Sequence, residues 1–175
     1  MRLNPFICIA LFILLLACSG KVTKEESPES LFELGLNYLR GNDSLGIYMN
    51  KEKGIALIRR SAEQGTVKAQ YVLGSCYYKG DGIPMNKPQA VYWWRKAAEQ
   101  GNADAQYNLG VCYYKGDGIP MNKPQAVYWY RKAANQGNVK AQYNLGNAYS
   151  FGVGVPMDKP QAVYWYRKAA NQGHA

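Results

Sequence analysis

An all-α fold, an α/α superhelix of about four antiparallel helix hairpins, is what this sequence predicts, on three observations. A block of 36 residues is written three times in succession, so that Leu73-Gly74, Leu109-Gly110 and Leu145-Gly146 stand one period apart. Trp93, Trp129 and Trp165 keep the same step, as do the doublets Ala97-Ala98, Ala133-Ala134 and Ala169-Ala170. Such a period marks a supersecondary unit that cannot bury its apolar face alone and must stack on its neighbours. Inside each block the apolar residues recur at helical spacing. Between the helical stretches stand glycine pairs, Gly80/Gly82, Gly116/Gly118 and Gly152/Gly154, each followed by a proline.

In chain order, residues 1–17 read as an export signal. Arg2 supplies a basic start and Phe6 to Leu16 form an apolar run, shorter than the roughly 20 residues that span a bilayer. Leu15-Leu16-Ala17-Cys18 resembles a bacterial lipobox, with Cys18 as the acylated residue. The other reading is ordinary secretory cleavage near Ala17, with Cys18 incidental. Two or three acyl chains hold a protein to a membrane durably where one does not. Ser19, rather than Asp, follows the cysteine, which by resemblance to Gram-negative lipoproteins implies outer-membrane sorting, facing the periplasm or the cell surface. Residues 18–30 are a polar tether without apolar period, expected to be disordered.

Residues 31–65 are a diverged first copy. Gly35 precedes Gly74 by 39 residues, so three extra residues enter its loop around Asp43 to Tyr48, and the tryptophan is missing. An atypical terminal repeat is what a cap requires. Regular copies follow at 66–101, 102–137 and 138–175. In each, Thr66, Asn102 or Asn138 is positioned to cap a first helix with its side-chain oxygen. Ala69, Leu73, Cys76 and Tyr77 form one apolar stripe, and Tyr71, Gly74 and Tyr78 a second, so the helix packs on two sides. A mid-helix glycine costs about 1 kcal/mol relative to alanine; Gly74 is expected to let Trp93 or Ala97 of the partner helix come near. Gly80-Asp81-Gly82 ends the helix and Pro84 keeps Ile83 extended. Asn86 opens the second helix, with Gln89 as reciprocal partner of a capping box and Pro88 tolerated in the first turn. Ala90, Trp93, Trp94 and Ala97 make its buried stripe. The tyrosines and tryptophans are expected to be mostly core.

The chain carries 21 Lys and Arg against 12 Asp and Glu, a net charge of +9. Much of it recurs as Arg59-Arg60, Arg95-Lys96, Arg131-Lys132 and Arg167-Lys168, which stacking aligns into a basic ridge. An exported chain makes nucleic acid an unexpected partner. An anionic envelope surface, reached through long-range attraction, or a solvated face that keeps the stack soluble, accounts for the ridge. Cys76 and Cys112 occupy equivalent places in stacked copies, where helices lie about 8–10 Å apart. A disulfide needs Cα atoms closer than about 7 Å, so two buried thiols are expected.

The pattern Ala69-x3-Leu73-Gly74-x2-Tyr77-x2-Gly80-x-Gly82-x7-Ala90-x2-Trp93-x2-Lys96-Ala97-Ala98-x2-Gly101 resembles the Sel-one-like repeat, a relative of the tetratricopeptide repeat. The match is tight over 66–173 and loose over 31–65. The family's usual Asp before the second helix is Asn86 and Asn122 here, and Asp only at Asp158. The resemblance implies a right-handed superhelix whose first helices line a concave partner-binding face, in an exported adaptor. One cysteine-rich branch of the family is associated with binding or slowly hydrolysing penicillins, which makes a β-lactam-binding protein the alternative. That branch carries a cysteine pair within each repeat, and this sequence does not. It also has no Ser-x-x-Lys. His174 is the single histidine, too few ligands for zinc. No catalytic, cofactor or metal site is expected.

Comparison of the copies gives a candidate surface. Lys79 to Trp93 repeats unchanged as Lys115 to Trp129, and Pro124 to Gly137 as Pro160 to Gly173. Four first-helix positions vary against that frame: Lys68/Asp104/Lys140, Val72/Asn108/Asn144, Ser75/Val111/Asn147 and Lys79/Lys115/Phe151. Their i, i+4, i+7, i+11 spacing puts them on one stripe, expected opposite the packed faces and bordered by Tyr71, Tyr107 and Tyr143. It is the expected contact for a protein or peptide; the other reading is neutral drift on solvated positions. A secreted factor acting on host proteins would require Cys18 to stay unlipidated. At the other end, the last helix is expected to expose Tyr164, Trp165 or Tyr166, which implies self-association or a longer array.

Overall fold

Helical hairpins follow one another along the chain in the computed structural model, which describes residues 27–173. The export signal, Cys18 and His174 lie outside the described residues. The first hairpin joins α1 (Pro28–Arg40) to α2 (Lys51–Glu63) across a 3-10 turn at Asp43–Leu45. The others pair α3 (Val67–Lys79) with α4 (Lys87–Glu99), α5 (Ala103–Lys115) with α6 (Lys123–Asn135), and α7 (Val139–Phe151) with α8 (Lys159–Ala170). Each helix packs on its chain neighbours, both within a hairpin and from one hairpin to the next. The helix α1 starts inside the expected tether, because Ser27 caps it through Ser30 N–H and Pro28 occupies its first turn.

The first apolar stripe of the first helices is buried as its spacing requires, while in the second the glycine is buried and the tyrosines Tyr71 and Tyr78 are half-buried. Ala69, Leu73, Cys76 and Tyr77 meet Ala90, Trp93, Trp94 and Ala97 in one continuous core. Close approach at the glycine is made by a different residue from the one expected. A Cβ on Gly74 would stand 2.6 Å from Trp94 Cδ1, and on Gly110 or Gly146 it would meet Tyr130 or Tyr166 equally closely. Trp93 lies about 100° further round the helix, where the ring of Tyr92 stands edge-on to it at 5.0 Å.

The helix starts also differ in part. Asn102 and Asn138 accept from Ala105 and Ala141 N–H, but Thr66 makes no such bond and its hydroxyl is buried without a partner. The branched Thr side chain has fewer rotamers with which to reach N3. Asn86 accepts from Gln89 N–H, yet the reciprocal half of the capping box is taken over by tertiary structure: Asn86 N–H donates to the carbonyl of Tyr77 at 2.8 Å.

A glutamine ladder binds the copies. Gln70, Gln106 and Gln142, each 3 % exposed, donate to the carbonyls of Ala62, Ala98 and Ala134. They accept in turn from Gln100, Gln136 and Gln172. Each buried amide therefore joins three helices without an unpaired group. In the first copy Leu31 stands in place of the buried glutamine, and the hydroxyl of Ser61 donates to the carbonyl of Pro28 instead.

Candidate partner-binding surface

The variable stripe does not stand clear of the packing. Its ends, Lys68, Lys79, Asp104, Lys115, Lys140 and Phe151, are exposed. Its middle, Val72, Ser75, Asn108, Val111, Asn144 and Asn147, is half-buried where successive first helices converge. The bordering tyrosines bridge copies: Asn108 lies within hydrogen-bonding reach of Tyr71, and Asn144 of Tyr107 and Tyr130. Desolvation raises the pKa of all three phenols above the usual range, so they are neutral donors at physiological pH. Tyr143 is exposed, its ring tilted against Tyr166 at 5.7 Å, while Tyr166 Oη donates to Asn147.

Six residues of the stripe gather around one cavity. Tyr107, Val111 and Lys115 from α5 face Asn144, Asn147 and Phe151 from α7, enclosing about 280 Å³. Tyr114, Val127, Tyr130, Ala148 and Val153 complete the lining. These five were not in the sequence-derived stripe, although several of them also differ between copies: Tyr130 replaces Trp94, Ala148 replaces Cys112, and Val153 replaces Asp117. Lys68, by contrast, borders a separate hollow with Pro28, Phe32 and Thr66. The stripe is thus two neighbourhoods rather than one wall.

The preceding junction is bridged. There the loop after α3's counterpart, at Gly118, seats against the start of α4, where a Cβ would be 2.5 Å from the carbonyl carbon of Lys87. Asp117 accepts from Lys87 Nζ at 2.8 Å and from Tyr78 Oη at 3.0 Å. These bonds, Lys87's first and Tyr78's second, hold the Asp117 carboxyl below the usual range. Lys51 and Asp81 form the same pair one copy earlier, at 2.6 Å. At the cavity the loop keeps its seat, since a Cβ on Gly154 would be 2.5 Å from Lys123 O, but Val153 has no carboxylate to offer. Lys123 Nζ turns to the carbonyl of Tyr114 at 2.8 Å and lies 3.4 Å from its ring centre.

The aromatic surface departs from a simple core. The tryptophans are buried, but Tyr92, Tyr128 and Tyr164 are about half exposed, edge-on to Trp93, Trp129 and Trp165. Lys96, Lys132 and Lys168 of the basic ridge lie over those tyrosine rings. Tyr164 is exposed no more than its counterparts, and Trp165 is buried. What α8 uncovers is Val163, 48 % exposed against 5 % and 4 % for Val91 and Val127, together with Ala170 and part of Tyr166. Those residues face the position that a following first helix fills in earlier copies.

Cys76 and Cys112 are free and buried. Burial pushes their thiols up to about 11 and about 12 respectively, which leaves little thiolate for nucleophilic chemistry. Among the described residues no group of three or more His, Cys, Asp or Glu is placed to hold a metal ion, and no helix is long and apolar enough to cross a membrane.

Comparison with known proteins places this architecture. The Sel1 repeat model matches residues 28–66, 67–102, 103–138 and 139–174. A protective antigen present in uropathogenic Escherichia coli strains, displaying an SLR fold, superposes with TM-score 0.84 at 37% identity, over 98% of this chain and 34% of its own. A Sel1 repeat protein from Oxalobacter formigenes gives TM-score 0.80 at 36% identity, over 94% of this chain and 45% of its own. The chain thus spans less than half the length of these two structures. Cysteine-rich protein B of Helicobacter pylori shares the fold at TM-score 0.54 and 22% identity, over 70% of this chain and 97% of its own. No curated protein matches the chain.

Proposed function

This chain belongs to the Sel1 repeat family, whose members are generally protein-interaction scaffolds, and from that premise we propose that it is a non-enzymatic, lipid-anchored adaptor holding a protein partner at the bacterial cell envelope. One observation carries the reading: on a largely repeated frame, several positions that vary between copies, among them Val111, Asn147, Phe151 and Val153, line a cavity of about 280 Å³ between α5 and α7. Variation at such lining residues alters what the surface accepts while leaving the stack intact. The partner meets the first helices on their concave side, and the lipid on Cys18 tethers the scaffold to the outer membrane. The α8 face that exposes Val163 and Ala170 is a seat for a second copy or for a further repeat, to be checked by sedimentation.

Photo-crosslinking in living cells, from a photoreactive residue at Asn108 or Val111, tests the scaffold. A discrete adduct that disappears when Lys68 and Lys140 are charge-reversed together supports it. A photoproduct pattern unchanged by that double variant overturns it. Metabolic labelling with an alkynyl fatty acid, compared with Cys18→Ser, tests the anchor separately. The β-lactam alternative is not favoured, because the branch it rests on carries a cysteine pair within each repeat and Cys76 and Cys112 are free; nitrocefin turnover by the purified protein would restore it.

A further inference from the structure

Among its differences from the junction before it, the cavity between α5 and α7 lacks a carboxylate. In two successive junctions the lysine at the second helix's start holds an aspartate from the following loop: Lys51 with Asp81, and Lys87 with Asp117. The third junction keeps the lysine, as Lys123, and keeps the loop against it, since Gly154 packs on the Lys123 backbone as Gly118 does on Lys87. The acid alone is gone, replaced by Val153. No residue lining the cavity is acidic; Lys115 is part of the lining, and Lys123 lies beside it, over the ring of the lining residue Tyr114.

The space beside that cation is apolar and aromatic. Val111, Val127, Tyr107 and Tyr130 form its floor, and Phe151, 71 % exposed, forms one wall. At the preceding junction the corresponding floor carries Trp94, whose Nε1 donates to Tyr71 O at 3.2 Å. Tyr130 is a smaller ring and leaves more room. A largely apolar floor with ammonium groups beside it and no acid in its lining is complementary to a hydrophobic side chain adjoining an anion. The chain's own preceding junctions show which anion fits at this place: an aspartate carboxylate, within 3 Å of the lysine nitrogen.

Resting on the scaffold reading above, we propose that this cavity is the anchor point for the partner, receiving an aliphatic or aromatic side chain while a neighbouring Asp or Glu side chain of the partner pairs with Lys123 and Lys115 in place of the missing Asp. The partner thereby completes an electrostatic bridge that the scaffold builds internally at its other junctions. Lys123 leaves the Tyr114 carbonyl and ring to meet that carboxylate.

The test uses an array of N-acetylated, C-amidated octapeptides in which Asp or Glu adjoins Leu or Phe, with Asn and Gln counterparts, probed with the purified protein. The acidic peptides are expected to be captured about tenfold more tightly than their amide counterparts, the loss of one charge-assisted hydrogen bond. Val153→Asp supplies the acid internally and is expected to remove that preference, as is Lys123→Gln. Both variants should keep the wild-type helical circular dichroism, since the Asp already occurs at the preceding junction. Equal capture of acid and amide peptides, capture unaffected by Val153→Asp, or no capture of any acidic peptide overturns the proposal. A preference only for peptides with a free C-terminal carboxylate also overturns it, assigning the seat to a chain end. None of these outcomes touches the scaffold reading, which the photo-crosslinking from Asn108 and Val111 decides on its own.

Discussion

The junction between the second and third copies and the junction between the third and fourth share a seated loop and a lysine, and only the first carries an aspartate bridge. Lys87 and Tyr78 close the first through two hydrogen bonds to Asp117, beside a tilted Tyr78–Trp94 contact at 5.1 Å within the second copy. Tyr130, Val153, Lys123 and Tyr114 occupy the same places in the second, where Tyr114 is 42 % exposed and a cavity remains. In a solenoid each interface is set by nearest neighbours alone. A few substitutions at one junction can therefore create a local binding site without disturbing the stack on either side.

The largest effect that sharpens this contrast comes from the glycine at each crossing. Gly74→Ala drives a methyl group to 2.6 Å from Trp94, which is 4 % exposed and held at its indole nitrogen. Overpacking of this kind costs about 1–3 kcal/mol, offset in part by roughly 1 kcal/mol of better helix propensity. Gly146→Ala meets Tyr166 at the same distance, but that ring is half-buried and free to swing outward at the expense of its bond to Asn147. Urea denaturation of the two variants is expected to show Gly74→Ala clearly destabilised and Gly146→Ala much less so. Equal losses would mean that the open end of the array packs as tightly as its interior.

The sequence exposed the architecture almost completely, because repetition multiplies every weak signal. One glycine in a helix is ambiguous, whereas the same glycine at Gly74, Gly110 and Gly146 identifies a crossing. What it concealed were matters of rotation and reach. Choosing Trp94 over Trp93 as the ring against Gly74 needs the crossing angle of two helices, which hydrophobic spacing leaves undetermined. The glutamine ladder was visible as Gln70, Gln106 and Gln142 beside a buried alanine, but an amide's burial becomes readable only when its partners, eight residues back and thirty ahead, are in place. The candidate stripe was found by comparing first helices alone. Extending that comparison to the loop and the second helix would have reached Val153 and Tyr130, the residues that open the cavity.

A smaller effect tests the bridge itself. Asp117→Val should recreate the open junction one copy earlier, leaving Lys87 and Tyr78 without their acceptor. Partly exposed pairs are worth little, so the midpoint at pH 7 should fall by only about 2 °C. The pH dependence is more telling. A carboxyl whose folded pKa is depressed stabilises the fold above its unfolded pKa, about 4, and that contribution is lost as pH falls through the folded value. Wild type and Asp117→Val should therefore differ at neutral pH and converge as pH falls through the lowered folded value of the Asp117 carboxyl. A constant offset across that range would attribute the loss to altered packing of the loop instead of to charge.

The smallest effect is the reciprocal one, and it is the most diagnostic. Val153→Asp supplies Lys123 with the partner its counterparts have, and offers Tyr114 the acceptor that Tyr78 finds in Asp117. Against this gain, Lys123 gives up its position over the Tyr114 ring and its bond to the Tyr114 carbonyl, and the half-buried valine loses apolar contact. The terms nearly cancel, so the midpoint should rise by about 1 °C or less at low ionic strength. Salt separates them, because screening acts on the new ion pair and leaves packing unaffected: at about 1 M salt the Debye length is near 3 Å and the increment should vanish. A variant destabilised at low salt would mean that the third junction has no seat for a carboxylate at all. The cavity would then be an apolar gap between copies, and Lys123 would be satisfied by the aromatic ring it already covers.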